Sequence, residues 1–193
     1  MEVRRNFPVM LRVARILHAR HPHVRFPVAC YKVSQRDYCR SLLTGPFADL
    51  PIDLHVGRTP EIIAAADCCL MVSGSVSLEL LARGTPAVVL YRGSWLMYVL
   101  VKLLVTCKYM SLPNLIAGRE LMPEFPFVGR VALHADKMAA ILDRWLADDR
   151  ALAEVRKEMR RLRQAIVQTG GVERAAAAIL MRLDAAQVNR LAA

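Results

Sequence analysis

Cysteine pairs at disulfide or zinc-ligand spacing are missing from this sequence. Its five cysteines (Cys30, Cys39, Cys68, Cys69, Cys107) are odd in number and include no C-x-x-C pair, which argues against a disulfide framework and fits a reducing, cytoplasmic setting. Cys68, Cys69 and Cys107 lie in apolar runs, where a thiol serves as a small hydrophobe. The five histidines are scattered without metal-ligand spacing, and no D-x-D occurs. No metal, zinc or other cofactor is therefore expected. Aromatics are sparse, with five Phe, five Tyr and two Trp. Arginine and aromatic residues do not interleave, so a nucleic-acid partner is disfavoured. The opening MEVRRNFPVM is charged and enters a helix, unlike a signal peptide. The longest apolar run, residues 95–105, is about half of a membrane span and is interrupted by Lys102. It reads as a core or dimer-contact helix.

Acidic residues are the scarcer charge, 17 against 27 Lys and Arg, for a formal net charge of +10 over 193 residues. Such a balance suits an anionic partner, whether a phosphorylated substrate or an anionic membrane surface. At 55% hydrophobic and 23% charged, the chain has the composition of a globular domain large enough for one α/β core.

Residues 70–120 organise the rest. An apolar strand at 68–72 runs into Ser73-Gly74-Ser75, then a helix at 76–83, then Gly84 where a C-terminal cap favours positive φ. A second apolar strand follows at 86–91, completing a right-handed βαβ unit. Ser73, Gly74 and Ser75 thus sit where backbone N–H groups and a positive helix end converge, an arrangement that binds phosphate. The same three residues equally make a tight turn with a serine N-cap.

Elsewhere strand and helix alternate at short intervals, the signature of a parallel sheet covered on both faces. Asn6 and Pro8 read as the cap and first turn of a helix bearing Val9, Val13, Ile16 and Leu17. Residues 24–31 read as a strand whose Pro27 places it at a sheet edge. Ser34 and Asp37 form a capping-box-like pair. Ile52, Leu54 and Val56 alternate as a strand that turns at Gly57-Arg58, and Thr59-Pro60-Glu61 starts another helix. Residues 111–120 read as loop, and Pro123 and Pro126 predict an irregular stretch. Two late helices carry Met138, Ile141, Leu142 and Trp145, then Leu152, Val155, Met159, Leu162 and Ile166. Gly170-Gly171 breaks the pattern before a last helix. A doubly wound domain normally opens with a strand; here a helix comes first, and the expectation is that a first strand is missing.

The blocks KYMSLPNLIAGRELMPEF and VSGSVSLELLARGTPAVVLYR closely resemble the C-terminal half of the lipid-A-disaccharide synthase family, as do EVRRNFPVMLRVARILHAR and HVGRTPEIIAAADCCLMVSGS. The resemblance extends to about Phe127, and beyond it holds only in pattern. It implies a Rossmann-like parallel sheet, the C-terminal domain of a GT-B glycosyltransferase, with a C-terminal helical tail. Residues 1–133 would form the nucleotide-sugar-binding part lacking its first strand, and residues 134–193 helices packing on it. It further implies inverting transfer of 2,3-diacylglucosamine from its UDP derivative to 2,3-diacylglucosamine 1-phosphate, with release of UDP. The catalytic base and the acceptor site are expected in an N-terminal half that this sequence does not include, so no catalytic residue is assigned. The rival expectation is a non-catalytic fragment that binds nucleotide or forms a homodimer.

The resemblance also implies roles for particular residues. Ser73, Gly74 and Ser75 would donate to the diphosphate. Glu79 would accept the ribose hydroxyls, or be a solvated helix charge. Asn114 would meet the sugar nucleotide, or make an Asx-turn. Arg119 would clamp phosphate, while Glu120 would bind hydroxyls or pair with Arg119. Backbone near Gly57 and Arg58 would meet the uracil. Arg156, Lys157, Arg160, Arg161 and Arg163 form a basic face, either solvated or drawn to anionic headgroups at the inner face of the cytoplasmic membrane.

Overall fold

The computed structural model describes residues 2–72, 74–95, 103, 107–166 and 174–183. Contacts divide the chain into a unit running from Met1 to Arg161 and a second from Leu162 to Ala193. In the second, residues 174–183 are helical. The Gly170-Gly171 break and most of the apolar run at 95–105 lie outside the described residues.

The first unit opens with α1 (Glu2–Arg20), followed by β1 (Phe26–Cys30), α2 (Val33–Ser41), β2 (Ile52–Val56), α3 (Thr59–Ala65), β3 (Cys69–Val72), α4 (Val76–Arg83) and β4 (Ala87–Arg92). Next come α5 (Leu112–Ala117), β5 (Glu124–Phe127), α6 (Val131–Ala147) and α7 (Asp149–Ile166), of which the residues up to Arg161 belong to this unit. Every strand pairing is parallel, and the strands form two open sheets, β1-β2 and β3-β4-β5. The fold is thus α/β of Rossmann-like kind. The helices fall into two contact groups. α1 touches α2 and α6, while α4 touches α3 and α5, as helices on opposite faces of a doubly wound sheet do.

Periodicity explains α1. Val9, Val13 and Leu17 recur every four residues and bury against Val88, Leu90, Met138 and Leu142. Phe7, Leu11 and Ala14, offset round the helix, bury against Cys30, Cys39 and Leu50. One helix therefore lies across both sheets. Asn6 is inside it rather than at its cap, 1% exposed. Its Oδ1 accepts from the Arg92 N–H at 2.9 Å, tying the start of α1 to the end of β4. An N-cap reading fails here because the helix begins upstream at Glu2, and Pro8 lies inside it, beyond the four N–H groups that a helix start leaves free, so it forfeits one i→i−4 bond. At the other end, Asp143 of α6 receives His21 Nε2 at 2.8 Å and Arg20 at 2.7 Å. These contacts hold Asp143 below the ordinary carboxylate range, His21 being the larger cause.

Other local expectations change for physical reasons. The α2 capping box is built on Lys32 and Gln35, not Ser34 and Asp37; Gln35 Oε1 accepts the Lys32 N–H at 3.3 Å. Residues 112–117 are helical although they resemble loop. Pro113 in the first turn and Gly118 at φ 65° bracket a helix too short to show a period. Pro126 lies within β5 and is exposed, as an edge strand with one neighbour permits. Gly84 adopts φ 72° at the end of α4, the left-handed cap its position predicts. Of the cysteines, Cys30 and Cys39 are buried while Cys107 is exposed. Burial pushes the Cys39 and Cys68 thiols up to about 12 and Cys69 to about 11.

Candidate functional site

In a parallel sheet all strands end on one edge, and the turns there gather whatever the loops carry. At the end of β3, Gly74 and Ser75 are exposed and lead into α4; Ser73 lies outside the described residues. The first turn closes locally. The Ser77 N–H reaches the Gly74 carbonyl at 3.1 Å, the Ser77 hydroxyl reaches it at 2.7 Å, and the Leu78 N–H reaches the Ser75 carbonyl at 3.0 Å. Ser75 occupies the N-cap position without making a side-chain cap bond. The capping role that the sequence suggested for this serine is therefore unfilled, and Ser77 does the local bonding. A Cβ added at Gly74 would meet nothing within 4 Å, so the turn faces open space.

On the neighbouring strand, Arg92 ends β4 beside the start of α1 through its bond to Asn6. At the end of β2, Gly57 takes φ 71° and donates its N–H to the Cys30 carbonyl at 3.2 Å. Arg58 follows, exposed and 3.5 Å from Glu61. Glu79 is one turn into α4 and pairs with Arg83 at 3.4 Å. An exposed pair at i,i+4 is worth little, so this carboxylate changes partner at small cost.

The loop before β5 is organised differently. Asn114 is fully buried, and its side chain is saturated. Nδ2 donates to the Met122 carbonyl and to Glu124, both at 2.7 Å. Oδ1 accepts from the Leu121 N–H at 2.7 Å and the Met122 N–H at 2.8 Å. Glu124 collects further donors: the Met110 N–H at 2.7 Å, the Ser111 N–H at 2.8 Å and the Ser111 hydroxyl at 2.7 Å. Asn114 and Glu124 together therefore pin α5 and the turn behind it to the first residue of β5. Arg119 pairs with Glu158 of α7, and Glu120 accepts the Glu124 N–H at 3.3 Å. Arg119 and Glu120 are exposed; Asn114 is not.

The structure thus places Gly74 and Ser75 at a strand–helix turn with Glu79 on the same helix. Gly57 and Arg58 stand at the corresponding end of the other sheet, and Asn114 is enclosed in its own loop. From sequence Asn6 reads only as a helix cap, and Glu124 is not singled out. An asparagine on the core face of an amphipathic helix is a signal for the first. Glu124, followed by alternating apolar residues, carries none without the tertiary contacts. The basic run is partly committed, since Arg156 donates to the Asp67 carbonyl at 3.0 Å and Arg161 pairs with Glu158. Among the described residues no three His, Cys, Asp or Glu gather as a metal site, and no helix is long and apolar enough to cross a membrane.

Comparison with known proteins adds the remaining findings. A lipid-A-disaccharide synthase of Idiomarina loihiensis is 40% identical over 123 residues, covering 64% of this chain and 32% of its own length. One from Anaeromyxobacter dehalogenans is 32% identical over 179 residues, covering 93% of this chain and 46% of its own. One from Pseudomonas aeruginosa is 39% identical over 123 residues, 64% of this chain and 32% of that protein. The chain spans half or less of the length of these curated relatives. The family model described as lipid-A-disaccharide synthetase matches residues 1–180, and this chain belongs to that family.

Proposed function

We propose that this chain is the UDP-sugar-binding half of a lipid-A-disaccharide synthase, a glycosyltransferase of lipid A biosynthesis. The observation that supports the reading best is the exposed Gly74-Ser75 turn at the head of α4, in a chain whose family membership is shown. The diphosphate of UDP-2,3-diacylglucosamine would lie against this turn. There the backbone N–H groups, the Ser75 hydroxyl and the α4 dipole stabilise charge as UDP departs. Glu79 would leave Arg83 to accept the ribose hydroxyls, and the Gly57-Arg58 backbone would meet the uracil. Ser73 shares the phosphate role in this reading. Arg119 and Glu120 border the donor, while Asn114 acts by holding their loop in place.

The reaction would be direct displacement at the anomeric carbon by the 6-hydroxyl of 2,3-diacylglucosamine 1-phosphate. The new C–O bond forms opposite the departing UDP oxygen, inverting the centre. The base that takes the hydroxyl proton belongs to polypeptide outside this sequence. Exposed Leu78 on α4, with Leu112, Leu115 and Ile116 on α5, offers apolar surface to the acyl chains, and the positive net charge favours peripheral association with anionic lipid. Calorimetric titration with UDP tests the reading. Binding that weakens at least tenfold in Ser75→Ala or Gly74→Val supports it, and equal binding by both variants removes it.

A second reading is favoured by the short span of the chain relative to its relatives: a nucleotide-binding or dimerising fragment without turnover. Assay of the chain with both acylated substrates separates the two.

A further inference from the structure

A guanidinium drawn partly out of water needs a negative or accepting partner, so half-buried arginines are more informative than exposed ones. Among the described residues of the first unit, Arg15, Arg36, Arg92 and Arg156 are half-buried. Three of them have an aspartate. Arg15 pairs with Asp49 at 2.8 Å, Arg36 with Asp37 at 2.8 Å, and Arg156 with Asp67 at 3.5 Å. Arg92 has no acidic partner among the described residues.

The backbone fixes where Arg92 stands. It ends β4, the middle strand of β3-β4-β5. Val72, the last residue of β3, is level with Leu90, so Arg92, two residues on, is level with the Gly74 turn. Ladder bonds give its orientation. The Val89 N–H donates to the Pro123 carbonyl and the Gly93 N–H to the Phe127 carbonyl, both on the β5 side. By alternation the Arg92 N–H turns toward β3. There its acceptor is Asn6 Oδ1 at 2.9 Å. Asn6 is held in turn, 1% exposed, with its Nδ2 donating to the Glu2 carbonyl at 3.1 Å. Both ends of this amide are committed, which keeps the backbone at Arg92 from swinging. Val88 and Leu90 are buried in the core shared with α1 and α6. Arg92 continues the same face of β4 past its last buried residue.

We propose that Arg92 is a diphosphate-binding residue, whose guanidinium pairs from the neighbouring strand with the anion received by the Gly74-Ser75 turn. This rests on the nucleotide reading above and adds what the turn lacks. Backbone N–H groups and a helix end offer only partial charge, whereas arginine brings a full one. Neighbouring strands lie about 4.8 Å apart, a gap that an arginine side chain spans. Its planar fork matches two oxygens of one phosphate or bridges two phosphates. As the bond from the anomeric carbon to the UDP oxygen breaks, the electron pair leaves with UDP and negative charge grows on the diphosphate. A cation whose backbone is already fixed meets that charge with little reorganisation.

The other arginines near the site are less well placed for this. Arg58 is exposed and 3.5 Å from Glu61, and Arg119 is exposed and paired with Glu158. Each gives up a carboxylate before it meets a ligand; Arg92 gives up none. A phosphate monoester, such as the 1-phosphate of the acceptor, offers the same chemistry. The position of Arg92 beside the turn between β3 and α4 favours the donor.

The test is titration of the full chain with UDP, uridine and glucosamine 1-phosphate, comparing the parent with Arg92→Gln and Arg92→Lys. Loss of a charged hydrogen-bonded pair should weaken UDP binding at least tenfold in Arg92→Gln, while uridine affinity changes less than twofold. Arg92→Lys keeps the charge without the fork and should fall between parent and Arg92→Gln. If the parent binds UDP and Arg92→Gln loses less than tenfold, the inference is overturned and the nucleotide reading stands. Equal losses for UDP and uridine also overturn it, since they mark a structural role. A loss confined to glucosamine 1-phosphate overturns it and assigns Arg92 to the acceptor. No UDP binding by the parent removes the reading and the inference together. Should Arg92→Gln fail to fold, Arg92→Lys decides: UDP affinity equal to that of the parent overturns the inference.

Discussion

Replacing Asn114 by alanine removes four hydrogen bonds from a fully buried position. The groups left behind are the Leu121 and Met122 N–H, the Met122 carbonyl and one oxygen of Glu124. A buried group that loses its partner costs about 1–3 kcal/mol, and more when charged. Four such losses in one network are not additive, because Glu124 keeps Ser111 and Met110 and the freed loop relaxes toward water. The expected destabilisation is about 3–5 kcal/mol, a large part of the roughly 5–15 kcal/mol typical of a domain. With a urea m-value of about 2 kcal/mol/M, the midpoint should fall by about 1.5–2.5 M. A fall under about 0.5 M at unchanged m would refute the view that Asn114 is a keystone of its loop. Asn114→Asp sharpens the test. It keeps an oxygen that accepts the Leu121 and Met122 N–H groups but sets a second carboxylate against Glu124, so two like charges compete for one site and the variant should be less stable than the parent at pH 7.

Three further outcomes are expected. Asp143 is held below its ordinary pKa by His21 and Arg20, so its contribution is complete above the unfolded value, about 3.9, and is lost as pH falls through the lower folded value. Asp143→Asn should therefore flatten the acid limb of a stability–pH profile, and an unaltered limb would contradict this. His134, stacked 4.2 Å from Phe127, is shifted below 6.5 by burial first and then by Lys137 and Arg130. NMR titration should give a midpoint under 6.5, since the fold favours its neutral ring. Alkylation at pH 8 followed by mass spectrometry should label exposed Cys107 first, with Cys39, Cys68 and Cys69 lagging because burial keeps them as thiols; early labelling of Cys39 would be the contrary result.

Features set by local chemistry were readable from residues alone. Gly84 closes α4 because a left-handed cap favours glycine, and Pro27 marks an edge because it lacks a donor. The apolar runs at Cys69–Val72 and Ala87–Arg92 could only be buried parallel strands once a helix separated them. What escaped depends on distance in space. Asn6 looks like a cap until the Arg92 N–H, 86 residues away, is brought to it. Glu124 looks like the start of an irregular stretch until Ser111, Met110 and Asn114 converge on it. The six residues of α5 are too few to display a period. In the candidate site, Gly74, Ser75 and Glu79 were legible because a strand–turn–helix junction is a local pattern. The enclosure of Asn114 was not, since nothing in S-L-P-N-L-I-A-G-R-E states which way its amide turns.

The central claim is that a uridine diphosphate sits where β3 meets α4. Titrating UDP into isotope-labelled chain and following the backbone amides tests it most directly. The account predicts that Gly74, Ser75 and Val76 shift most, with Gly57 and Arg58 following, while Asn114 and Glu124 move little. Saturable shifts centred elsewhere on the chain, or none at all, would contradict it.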